Sequence, residues 1–171
     1  VTFPEAIKLS GAKPVTITPD KTSLLPTVDQ IKNNLTSKTK AIVINSPNNP
    51  SGRIFSEDFL KELITLAKKE DIFIISDEAY IDLIYSADSP KHLFDLVEDS
   101  FDYIITARTF SKTHALTGFR IGYTIASKKL TKAMNNLQGH LTGNNCTFAQ
   151  YGAVESLYTS NNILSEQKNL F

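Results

Sequence analysis

Apolar residues follow two rhythms along this chain: short unbroken blocks, and stripes at helical spacing. Ala41-Ile42-Val43-Ile44, Ile72-Phe73-Ile74-Ile75 and Tyr103-Ile104-Ile105 are blocks of strand length. Blocks without polar alternation suit parallel strands covered on both faces. Phe119 to Ala126 predicts a further strand, and Val15 to Thr18 a short one ended by Pro19-Asp20. The clearest helical stripe is Phe59, Leu60, Leu63, Ile64 and Ala67. Ser56 precedes it as an N-cap, Glu57-Asp58 suit its positive end, and Lys68-Lys69 suit its negative end. Val28, Ile31 and Leu35 share a face behind Thr27, a second capping residue. Lys128 to Leu141 and Thr147 to Tyr158 also read as helices, and Ser86 to Pro90 as a loop. Strands alternating with helices predict an α/β fold with a mostly parallel sheet.

Composition narrows the class without naming a function. The chain has 171 residues, enough for one domain with a sizeable core. Acidic and basic residues balance at 18 each, which gives no support to nucleic-acid or anionic-membrane binding. No segment has the length and character of a membrane span or a signal peptide. Cys146 is the single cysteine, so no internal disulfide can form and a reducing, cytoplasmic setting is expected. His92, His114 and His140 lack paired metal-ligand spacing, so no metal is expected. No Gly-x-Gly-x-x-Gly or Walker-type loop is visible. Residue 1 is Val and the single methionine is Met134, so the chain is expected to be a piece of a longer protein.

The candidate chemistry lies at the ends of the apolar blocks. Ligands in open α/β sheets gather beyond the carboxyl ends of the strands. That rule places Asn49, Asp77 and Lys112 on one rim. Lys112 ends the run Thr109-Phe110-Ser111-Lys112, and Arg120-Ile121-Gly122-Tyr123 follows after Gly118. Lysine forms imines with carbonyls, and arginine grips phosphate with a bidentate fork. Together they suit an aldehyde cofactor that carries a phosphate.

Three segments in order carry a family resemblance: Asn45-Ser46-Pro47-Asn48-Asn49-Pro50-Ser51-Gly52, Ser76-Asp77-Glu78-Ala79-Tyr80, and Thr109 to Tyr123 with Lys112 and Arg120. They resemble the Asn-Pro-Thr-Gly loop, the Asp-x-x-Tyr segment and the cofactor-lysine motif of fold-type I pyridoxal-phosphate enzymes, the aspartate aminotransferase superfamily, class I/II. The resemblance implies a three-layer αβα fold and pyridoxal 5′-phosphate as cofactor. It implies that residues 1–160 form most of the large cofactor-binding domain, incomplete at its start. Residues 161–171 would begin a linker or interdomain helix, with the small C-terminal domain absent. Lys112 would bond the cofactor aldehyde and later carry a proton. Asp77 would pair with the ring nitrogen, Tyr80 and Asn49 would donate to the ring oxygen, and Arg120, Ser111 and Thr109 would hold the phosphate. Glu78 would point elsewhere and act structurally.

The implied activity is amino-group transfer between an L-amino acid and a 2-oxo acid, in a homodimeric parent. The Asn49 loop and Thr117-Gly118-Phe119-Arg120 lean toward an aspartate or aromatic substrate, although Phe119 stands where that branch commonly has Trp. Ala107-Arg108-Thr109-Phe110-Ser111-Lys112 leans toward histidinol phosphate. A lyase on the same fold, an effector-binding module and an inactive fragment are the alternatives. The chain alone is expected to fold at least in part, and to turn over poorly without the segments that complete the site.

Overall fold

The computed structural model describes residues 2–85, 90–97 and 101–170. Four strands form one sheet in the order β1 (Ala41–Asn45), β2 (Phe73–Asp77), β3 (Ile104–Thr109), β4 (Gly122–Ala126). β1, β2 and β3 run parallel, and β4 returns antiparallel to β3. The sheet is thus mostly parallel, as its apolar blocks predict. Six helices accompany it among the described residues: α1 (Thr2–Leu9), α2 (Val28–Lys32), α3 (Glu57–Glu70), α4 (Phe110–Thr113), α5 (Lys128–Leu141) and α6 (Thr147–Leu170).

Local chemistry explains the helix starts. Ser56 accepts the Phe59 N–H and caps α3, and Asp71 ends it in the left-handed region. Thr27 and Gln30 form a reciprocal capping box on α2, which spans only Val28–Lys32 of the predicted stripe. Ser127 caps α5 through the Leu130 N–H.

The two faces of the sheet differ. Ile44, Ile74 and Ile104 point to the face covered by α3 and pack with Leu60, Leu63 and Leu66. Ile74 and Leu63 are fully buried there. Val43, Ile75 and Ile105, which alternate with them, are half-buried. A smaller cluster joins Phe110 and Ile121 to Ala149 and Ala153 of α6. Gly152 lets Phe119 approach α6: a Cβ there would lie 2.8 Å from the ring.

Two expectations change. Val15 to Thr18 is not a strand, because no described strand pairs with it, and β-propensity alone does not hold an isolated extended run. The strand predicted from Phe119 begins at Gly122, because Thr117–Phe119 is a 3-10 turn and Arg120 takes a left-handed conformation that breaks the extended backbone. The loop predicted over Ser86 to Pro90 lies outside the described residues, apart from Pro90.

Candidate active site

The carboxyl ends of β1, β2 and β3 carry the predicted residues. Asn45, Asp77 and Ala107 stand side by side in register, and Thr109 lies two residues beyond Ala107 on the same face. Asn45 knits the first two segments together. Its amide Nδ2 donates to the Asp77 carbonyl at 3.1 Å. Its Oδ1 accepts the Asn49 N–H at 3.0 Å and the Asn48 amide at 3.3 Å. This fixes the loop after β1, in which the Ser46–Pro47 and Asn49–Pro50 bonds are cis.

The loop brings Asn49 to Tyr80: Asn49 Nδ2 donates to the Tyr80 hydroxyl at 3.0 Å. The Tyr80 oxygen therefore accepts from Asn49 and keeps its own proton to donate. Lys112 is half-buried, with Nζ 5.6 Å from the Tyr80 ring centroid. Asn49, Tyr80 and Lys112, far apart in sequence, thus form one constellation. A cleft of about 460 Å³ adjoins it, lined by Asn49, Tyr80 and the apolar Pro47, Pro50, Ile54 and Leu83.

Asp77 is half-buried and accepts the Ala79 N–H at 3.0 Å. Among the described residues no cation pairs with it. Desolvation pushes its carboxyl above the ordinary value; the Ala79 N–H works against this shift, and the neighbouring Glu78 charge adds to it. A partly buried carboxylate without a cation is a site for one.

The Lys112 segment is built around α4. Thr109 caps it by accepting the Ser111 N–H at 3.1 Å, and its hydroxyl reaches the Ile121 carbonyl at 3.3 Å. Ser111 is buried, and its carbonyl accepts the Thr117 hydroxyl. Arg120 is exposed; its Nη1 donates to the Thr117 carbonyl at 2.9 Å, so most of its donors remain for a ligand. Gly122 is needed for close packing, since a Cβ there would lie 2.5 Å from the Arg108 carbonyl oxygen. Gly118, by contrast, has open space around it and no positive φ; the left-handed residues of this segment are Ala115 and Arg120.

Sequence reasoning assigned no role to Asn45, Arg108, Asp82 or Thr113. Asn45 had a signal, a polar residue closing an apolar strand. The others act through cross-strand and turn contacts that no local pattern reveals. Glu78 does point away from Asp77, into an ion pair with Arg108. Among the described residues no cluster of His, Cys, Asp and Glu could hold a metal, and no helix is long and apolar enough to cross a membrane.

Comparison with known proteins shows the family. The sequence profile of the family "Aminotransferase class I and II" matches residues 1–170. An aspartate aminotransferase of Thermotoga maritima is 39% identical over 171 residues, covering 98% of this chain and 45% of its own. One of Bacillus subtilis is 38% identical over 172 residues, covering 100% of this chain and 44% of its own. Among solved structures, an aspartate aminotransferase of Thermotoga maritima superimposes with a TM-score of 0.86 at 36% identity, over 96% of this chain and 45% of that one. An aromatic aminotransferase of Pyrococcus horikoshii superimposes with a TM-score of 0.91 at 32% identity, over 99% and 46%.

The fold is α/β, with the three-layer αβα architecture of fold-type I transferases. The chain belongs to the class I and II aminotransferase family. It spans less than half the length of the curated relatives named above.

The family implies pyridoxal phosphate, and the residues present fit it. An unpaired carboxylate suits a protonated ring nitrogen, the free Tyr80 and Asn49 donors suit a ring oxygen, and Arg120 beside a hydroxyl-rich cap suits a phosphate.

Proposed function

We propose that the protein carrying this chain transfers an amino group between an L-amino acid, aspartate-like or aromatic, and a 2-oxo acid, using pyridoxal phosphate. Residues 1–160 would belong to its large cofactor-binding domain, with the next residues leading toward a second, smaller domain. The observation that carries the reading is the convergence of Lys112 and Asn49 on Tyr80, beside a carboxylate that lacks a cation.

When bound, the cofactor supplies an electron sink conjugated to the substrate Cα. Asp77 keeps the ring nitrogen protonated by charge pairing, which Asn in its place could not do. Asn49 and Tyr80 donate to the ring oxygen and stabilise its negative charge. Arg120, with Ser111 and Thr109, would hold the phosphate. Lys112 would hold the cofactor aldehyde through Nζ and, once released by substrate, would be the base that moves the proton at the substrate Cα. Its Nζ lies 5.6 Å from the Tyr80 ring centroid. The enzyme would act as a cytoplasmic homodimer, since family sites draw groups from both subunits.

Steady-state kinetics on the intact protein test this reading. Parallel double-reciprocal lines with amino acid and 2-oxo acid as the paired substrates are expected of the ping-pong route. Release of ammonia and pyruvate without a 2-oxo acid would instead assign a lyase.

A further inference from the structure

We propose that Glu78 and Asp82 are positioning residues, two carboxylates that bridge the 77–82 segment to the 108–113 segment and so set Lys112 relative to Asp77 and Tyr80. This rests on the cofactor reading above. The two segments carry every predicted site residue except Asn49 and Arg120, yet no described hydrogen bond joins the site side chains of one to those of the other. They are tied from outside the site, at both ends.

The first tie lies on the face of the sheet opposite Asp77. The Glu78 side chain is 2% exposed. Its Oε2 accepts from Arg108 Nε at 3.2 Å and Nη2 at 2.9 Å, and its Oε1 accepts the Leu93 N–H at 3.1 Å. His92 Nδ1 closes the cluster 3.3 Å from Oε2. The Glu78 N–H continues the ladder to the Ala107 carbonyl at 2.9 Å. Arg108 precedes Thr109, the cap of α4. Desolvation opposes the Arg108 charge, but the hydrogen bond to Tyr123 and the Glu78 carboxylate outweigh it, so the guanidinium stays charged. A buried ion pair is a poor source of net stability compared with apolar packing; here two guanidinium nitrogens converge on one carboxylate oxygen, which ties the register of the two strands.

The second tie lies at the other end. The Thr113 hydroxyl donates to Asp82 Oδ2 at 3.0 Å. Thr113 is buried and directly follows Lys112 in the single turn of α4. One bond there fixes the rotation of that turn, and with it the direction in which the Lys112 stem leaves the backbone. Tyr80 sits between Glu78 and Asp82, and Lys112 between Arg108 and Thr113, so the ties bracket the pair whose separation matters.

The test uses the intact protein stripped of cofactor and titrated with pyridoxal phosphate. The readouts are the dissociation constant, the pH midpoint of the bound absorption band, and the thermal midpoint of the cofactor-free form. Thr113→Val keeps shape but removes the hydroxyl. It should raise the dissociation constant about tenfold and shift the band's pH midpoint, and it should also lower the cofactor-free thermal midpoint, since the hydrogen bond to Asp82 is present without cofactor. Thr113→Ser should restore binding to within about twofold of wild type. Glu78→Gln should weaken binding by a similar factor and also lower cofactor-free stability, because Arg108 loses its counter-charge. Should Thr113→Val not fold, Asp82→Ala read against Asp82→Asn, which keeps an acceptor, carries the same comparison. Wild-type affinity and band midpoint in both Thr113→Val and Glu78→Gln would overturn the proposal, as would loss confined to thermal stability. A wild-type protein that takes up no cofactor would overturn the cofactor reading itself, and this inference with it.

Discussion

The two faces of the sheet are built from nearly the same residue types and end in different states. On one face Ile44, Ile74 and Ile104 are sealed beneath α3; on the other Val43, Ile75 and Ile105 stay half-buried. The sealed face ends in the Glu78–Arg108 pair, and the half-open face ends in Asn45, Asp77 and Thr109. The division separates two tasks. A face closed over apolar side chains supplies stability in proportion to area removed from water. The other face meets the ligand at its rim, where polar groups are held without being saturated. Among the described residues no cation pairs with Asp77, and Arg120 bonds the Thr117 carbonyl through one nitrogen, which leaves both with capacity for a ligand.

Neighbouring isoleucines sharpen the contrast most. Ile74→Ala, on the sealed face, should cost about 2–5 kcal/mol, the range for deleting a fully buried branched side chain. Ile75→Ala, one residue on, should cost at least ~1 kcal/mol less, because its site is already partly open and can relax. Urea unfolding of the 171-residue chain measures both, and equal losses would erase the distinction between the faces.

Arg120→Ala should leave stability nearly unchanged and weaken cofactor affinity by about 10–100-fold, the scale of a lost charge-assisted contact. A cofactor titration beside a thermal melt checks both halves of that statement.

Asp77→Asn should act in opposite directions on stability and function. Burial raises the Asp77 pKa in the folded, cofactor-free chain, so the ionised carboxylate opposes folding near neutral pH. That opposition fades as pH falls through the raised value, and is gone below the unfolded value of about 3.9. The Asn variant should therefore melt slightly higher than wild type at neutral pH and no higher in acid. In the intact protein it should still bind cofactor but turn over far more slowly. A lower neutral-pH melting point would show that the carboxylate is satisfied within the chain.

The smallest effect is expected at Leu137 on α5, an exposed apolar residue. Leu137→Ala should change the stability of the chain by less than about 0.5 kcal/mol in the same unfolding experiment.

Much of this was legible because the signals are local. Ser56 and Thr27 announced their helices by capping chemistry, and the apolar blocks announced β1, β2 and β3. Asn49, Asp77 and Lys112 could be placed on one rim because each follows such a block. What was hidden depends on register. Nothing near Arg108 in sequence points to Glu78, since the pair forms when β2 and β3 align. Thr113 meets Asp82 only once α4 turns beside the Tyr80 segment. The run at Val15 failed for the same reason in reverse: its residues suit a strand, but a strand needs a neighbour. Arg120 stood out as a candidate ligand group by its closeness to Lys112 in sequence, while its left-handed backbone, which cuts short the predicted strand, had no glycine to signal it.

Lys112 would be the residue through which this site holds its cofactor, with Asn49, Tyr80, Asp77 and Arg120 arranged around it. Borohydride reduction of the intact, cofactor-loaded protein, followed by peptide mapping, tests it most directly. A single stable pyridoxyl adduct is expected on the peptide containing Thr109 to Thr113, at Lys112, and none in Lys112→Ala. An adduct on any other lysine, or unchanged labelling in that variant, would contradict it.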